Sequence, residues 1–437
     1  VFAMALPDAF GSTGRVTVAG LPGGLKYDSS TRTITGVATR SGIYSNVVIT
    51  AASGLKETVT IIVSALPDWA RGAFSGYVAS ATGGTVSMNV TAQGKITGKL
   101  ALGGMNFSFS STSYVQGDDE NAFLIDTAAK SGAITLGLSL QVRSSSTAEG
   151  VTGAVATKAL GVASGHLGSA DGPSLVLYRN VWGDADGAAF LSDHDGYYTA
   201  VLPCGDSTCG SGYVTMTLDK KGNVKTSGKL ADGTSISLSG PLILDETGDV
   251  FAVFYTSPVL YKGGSLFGLA RFSESADGSM IVYPLGGEPF LWTSSNPQAT
   301  VTYGLGFSRK VGLVGGWYNK VANLYDYYAG KDLTIGTDAG ASTPRIVAGT
   351  NVYASVWWDP NGIALAVVTN RLGAMTGLAA PQAGVPVKNA DGTYDYAAAN
   401  NTVGLKSGLN RATGLFKGSF KAWFETGVRP ASKAVSF

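Results

Sequence analysis

Val86-Ser-Met-Asn-Val90-Thr-Ala-Gln-Gly94-Lys-Ile96-Thr-Gly98-Lys99-Leu100 alternates apolar and polar residues, turns at a glycine and alternates again. Successive side chains on a strand point to opposite faces, so each arm has one apolar face and one of Ser, Asn, Thr or Lys. The glycine supplies the positive φ of a tight hairpin. The phrase returns as Val214-Thr-Met-Thr-Leu218-Asp-Lys-Lys-Gly222-Asn-Val224, leading to Gly228-Lys229-Leu230. A weaker third copy runs from Val403 through Leu409 and Gly414 to Phe420. Repeated hairpins point to antiparallel barrels or meanders, and copies this far apart do not make a solenoid.

The same period runs through most of the chain, as in Tyr303-Gly-Leu-Gly-Phe307, and no helix longer than two turns is expected. Gly is 61 of 437 residues, twice the usual share of about 7%, and charged residues are 14% against about 25%. The composition is that of an all-β chain rich in turns. Its length fits two to four domains at roughly 100–200 residues each.

Residues 1–66 have a cadence of their own: Leu21-Pro-Gly-Gly-Leu25, Thr33-Ile-Thr-Gly36, Gly42-Ile-Tyr44, Val47-Val-Ile-Thr-Ala51 and Thr58-Val-Thr-Ile-Ile-Val63. Short strands between tight turns give a small β-sandwich. These motifs resemble the immunoglobulin-like repeats of bacterial surface proteins, with Thr31-Arg32-Thr33 in place of the usual Thr-Gly pair. The resemblance implies a spacer or adhesive module. Ser64-Ala-Leu-Pro67-Asp-Trp69 reads as a linker, because proline withholds a ladder donor.

Beyond it, Trp69-Ala-Arg-Gly72-Ala-Phe74-Ser-Gly76, Gly228-Lys-Leu-Ala-Asp-Gly233-Thr and Thr413-Gly-Leu-Phe-Lys-Gly418 resemble large bacterial surface proteins in which Gly-rich β-modules follow such a repeat. The resemblance carries architecture and no catalytic residues. The expected fold is an immunoglobulin-like β-sandwich over 1–66, then antiparallel β-barrel or meander modules over 67–192 and 193–437.

Lys+Arg 31 against Asp+Glu 30 leaves a net charge of +1, which excludes steering toward nucleic acid. No run reaches the ~18 apolar residues of a membrane-spanning helix. The chain opens at Val1 with no charged leader region, the expectation for a processed, secreted precursor. Cys204 and Cys209 enclose a Gly-containing loop short enough for a local disulfide, with two buried thiols as the alternative. A bridge would place the protein in an oxidising compartment, outside the cell or at its surface.

Catalytic chemistry is thinly supplied. A serine nucleophile needs a base, and His166 and His194 are the only histidines; both read as loop residues. Asp118-Asp119-Glu120 and the acids from Asp184 to Asp195 are candidates for a carboxylate pair, though neighbouring acids on a strand face opposite ways. Asp184, Asp186, Asp193 and Asp195 offer hard oxygen ligands that suit calcium, without the EF-hand spacing. In Val352-Tyr-Ala-Ser-Val-Trp-Trp358, alternation puts Tyr353 and Trp357 on one face, where they could stack against a sugar ring.

No phosphate-binding or dinucleotide loop occurs, so the expectation is no cofactor beyond calcium and no enzyme. The leading expectation is a structural or adhesive surface protein, assembling with its own copies or neighbouring surface proteins through open β-edges at Val1–Leu6 and Lys433–Phe437. The alternative is glycan binding at Tyr353 and Trp357.

Overall fold

The computed structural model describes residues 2–80, 82–112, 114–116, 122–145, 160–205, 211–256, 260, 263–294 and 306–318. Beyond these it describes residue 390 and backbone strands at 332–335, 353–359, 362–370, 373–376, 385–388, 394–397, 406–409, 416–425 and 430–436. The chain is all-β, its paired strands antiparallel, and it contains two closed eight-stranded barrels.

The first unit has strands β1 (Phe2–Ala5), β2 (Val16–Ala19), β3 (Leu25–Asp28), β4 (Thr33–Gly36), β5 (Gly42–Ala51) and β6 (Lys56–Val63). They form two three-stranded sheets, β1-β4-β3 and β2-β5-β6. Leu25 and Ile34 of one sheet share a buried cluster with Val47 and Ile61 of the other. The Pro-Gly-Gly turn before β3 depends on Gly24, whose φ is +91° and where a Cβ would lie 2.1 Å from the Val37 carbonyl oxygen.

The first barrel contains β7 (Gly72–Ala79), β8 (Gly84–Val90), β9 (Ile96–Leu102), β10 (Met105–Ser111), β11 (Val115–Gln116), β12 (Ala122–Ser131), β13 (Ile134–Ser145), β14 (Leu160–Leu167) and β15 (Ser174–Arg179). The ring runs in chain order with β11 appended to β12, and β15 closes it on β7. Alternation sends Phe74, Met88, Leu100, Phe107, Leu140 and Leu177 inward, where all are buried. Each such burial is worth about 1.5–3 kcal/mol.

Helix α1 (Ala185–His194) links the barrels. Its ten residues exceed the two turns expected from the sequence. Gly187 and Leu191, one helical turn apart, are its buried face, and Asp186 in the first turn complements the helix dipole.

The second barrel contains β16 (Gly196–Leu202), β17 (Gly212–Leu218), β18 (Asn223–Lys229), β19 (Ser235–Leu244), β20 (Val250–Tyr255), β21 (Gly264–Glu274), β22 (Met280–Pro284), β23 (Phe290–Ser294), β24 (Phe307–Val311) and β25 (Val314–Trp317). Two wall positions are split. Along β21, Ala270 faces Pro284 while Phe267 faces Leu291, so three residues on one strand match seven on the other. Leu285 to Pro289 therefore bulges from one wall strand made of β22 and β23, and Gly286 and Gly287 adopt the positive φ this needs. The next wall strand is β25 followed back into β24, both running against the β16 segment in one register, from Val201 opposite Val314 to Cys204 opposite Val311.

The repeated hairpin has the same place in both barrels. The arms are β8–β9 and β17–β18, the second and third strands of each ring, turning at Gly94 (φ +81°) and Gly222 (φ +74°). Gly98 stands opposite Met88 and Gly228 opposite Val214. At Gly98 a Cβ would lie 2.0 Å from the Phe109 ring. The third copy is also a strand pair, Lys406–Leu409 with Phe416–Glu425, in one of three further sheets found among the described residues after Trp317.

Candidate functional site

The two barrels meet through their outer walls. Tyr77 and Tyr178 project from β7 and β15, and Phe251 from β20 takes both edge to face, with ring centroids 6.1 and 6.3 Å away. Leu160, Val162 and Ile243 belong to the same buried cluster. Burial holds the Tyr178 phenol well above its ordinary pKa, with Tyr77 and the carboxylates of Asp245 and Glu246 acting the same way and Arg143 opposing. Arg143 donates to both oxygens of Glu246 at 3.1 and 2.9 Å, tying the barrels at the rim.

The segment between the barrels is clasped to both. Arg179 at the end of β15 donates to the Arg71 carbonyl and to Asp184 at 3.0 Å. Trp182, 3% exposed, donates its Nε1–H to the Leu242 carbonyl at 2.6 Å and packs against Phe190 of α1. Away from the aromatic contacts the junction flares into a cleft of about 750 Å³, lined by Ser75, Ser87, Lys99 and Ser108 on one barrel and Ser237, Ser239 and Tyr255 on the other.

The four aspartates do not converge. Asp184 precedes α1 and pairs with Arg179, and Asp186 lies in the first turn. Asp193 and Asp195 stand at the opposite end, about 15 Å away for a ten-residue helix. Among the described residues no three His, Cys, Asp or Glu side chains gather as a metal group would require. Residues 118–120 lie outside the described residues.

Neither histidine is in a loop. His194 ends α1, stacks on Phe190 at 4.0 Å and donates from Nδ1 to that residue's carbonyl at 2.7 Å. His166 is on β14, and the register sets Asp126, Ser139, His166 and Ser174 side by side across four strands. The order matters: Asp126 adjoins Ser139, whereas a relay needs the acid against the imidazole. Cys204 pairs with Val311 beyond β16, and no described cysteine is free; Cys209 lies outside the described residues. Tyr353 and Trp357 occupy one strand opposite Thr369 and Ala364, and their side chains lie outside the described residues.

Sequence reading missed two exposed apolar sets. On the outer wall of the second barrel Tyr213, Val201 and Val314 are cross-strand neighbours, 42%, 48% and 64% exposed. In the first unit Ile43 and Ile62 face each other across β5 and β6 at 73% and 66%. Alternation alone could have flagged both, since each strand carries apolar residues on both faces.

The fold defines an all-β protein with two closed barrels docked in tandem behind a small two-sheet unit. No family model, curated protein or solved structure matches the chain.

Proposed function

We propose that this chain is a non-enzymatic structural or adhesive protein of the cell exterior, its first unit an immunoglobulin-like spacer and its barrels a rigid body that packs on neighbouring copies. The observation that carries the reading is the row Tyr213–Val201–Val314, an apolar stripe three strands wide on an otherwise closed barrel. Such stripes mark contact surfaces. The Ile43–Ile62 pair lies on a different unit, so two copies can join head to tail and the contact can repeat. β1 and β6 are terminal strands of their sheets and offer backbone groups to the same end. A net charge of +1 sets little repulsion against assembly.

A Cys204–Cys209 bridge belongs to this proposal and to an oxidising compartment. Immunogold labelling of source cells is expected to decorate the outer surface, and the recovered protein to weigh two hydrogens less than its reduced form. Label confined to the cytoplasm, with both thiols open to alkylation, would overturn the assignment.

A further inference from the structure

We propose that the cleft between the barrels, with the belt of hydroxyls and lysines that leaves it across the first barrel, binds an acidic polysaccharide. Cross-strand registers set Ser75, Ser87, Lys99, Ser108 and Lys130 in one row over β7, β8, β9, β10 and β12. Strand alternation turns this row outward, because the flanking Phe74, Met88, Leu100 and Phe107 fill the barrel. The first three strands and β10 floor the cleft; Lys130 lies beyond it, in an adjoining groove that shares Lys99 and Ser108.

Among the described residues, neither groove is lined by an aspartate or glutamate. Lys99 is exposed and has no ion-pair partner among the described residues. Lys130 stands two strand spacings away, about 10 Å. A surface of serine hydroxyls and two spaced cations, free of anions, matches a chain of linked hydroxyls bearing carboxylates at intervals. Hydroxyl groups donate and accept, so serine and sugar satisfy each other, while each carboxylate gains a charge-assisted bond.

The opposite wall adds a phenol to the lining. Tyr255 projects from β20 into the cleft, with its Oη buried against the Gly103 and Gly104 amides of the first barrel. Burial raises the pKa of this phenol, against the opposing pull of the Gly104 and Gly103 amides across the junction. A neutral glycan is disfavoured because, among the described residues, Tyr255 is the single aromatic ring that projects from the outer wall into the cleft, too little for a stacking platform. Nucleic acid would need a denser basic track than two lysines.

The site is independent of the self-packing proposed above, so its failure would leave surface location and assembly standing. The test is calorimetric titration of the full chain with a hexamer of 1,4-linked galacturonate and with maltohexaose. The acidic hexamer is expected to bind at least tenfold more tightly than the neutral one. Lys99→Met should weaken it at least tenfold, and Lys56→Met, on the first unit, should leave it unchanged. Absence of binding, equal affinity for both hexamers, or full affinity in Lys99→Met would each overturn the proposal.

Discussion

Trp182→Ala is expected to cost about 3–5 kcal/mol, the range for removing a large buried aromatic. The side chain fills the corner where the inter-barrel segment meets the second barrel, over Gly222, where a Cβ would come within 2.5 Å of the indole. Its loss also strands the Leu242 carbonyl that accepts the Nε1–H. Trp182→Phe keeps most of the volume and loses the hydrogen bond, so it should fall between wild type and alanine. Chemical denaturation measures both, and an alanine variant within about 0.5 kcal/mol of wild type, the scale of surface changes, would refute the clasp.

Phe251→Ala is expected to separate the barrels energetically. The ring is 1% exposed although it points out of its own barrel, because Tyr77 and Tyr178 of the other barrel cover it. Truncation removes about 3–5 kcal/mol of packing, including two edge-to-face pairs, from the junction rather than from either interior. Calorimetry should therefore change from one unfolding transition to two. Phe254→Ala is the contrast: that ring lies inside the second barrel, 5.2 Å from Phe290, and its loss should lower the second barrel's stability without splitting the transition in this way. A single, merely shifted transition in Phe251→Ala would mean that the two barrels are not joined through this contact.

The barrels were legible because hairpin signals are local. Alternation and Gly94 or Gly222 are enough to place two strands and a turn, and the repeat marked equivalent corners of two rings. Ring closure was not legible, since the pairing of β15 with β7 joins residues about a hundred positions apart and no local pattern encodes it. Helix α1 was hidden by its own composition: Asp184 to Asp195 reads as a cluster of oxygen ligands until Gly187 and Leu191 are seen to share one buried face. His166 was misread for a related reason, its Ser-Gly-His surroundings looking like a loop although they lie on β14.

The candidate site was less legible than the fold. Lys99 and Lys130 are far apart in sequence and become neighbours only through the β9–β10–β12 register. Tyr178, by contrast, carries a readable hint: with Val176 it puts apolar bulk on the face of β15 opposite Leu175 and Leu177, and a strand apolar on both faces calls for a cover.

Sedimentation velocity of the full chain across a range of concentrations tests the packing claim most directly. The account predicts association that grows with concentration and is lost when Val201 and Val314 are both changed to lysine, with the fold of each barrel retained. A chain that stays monomeric throughout, or that associates equally well with both lysines in place, would contradict it.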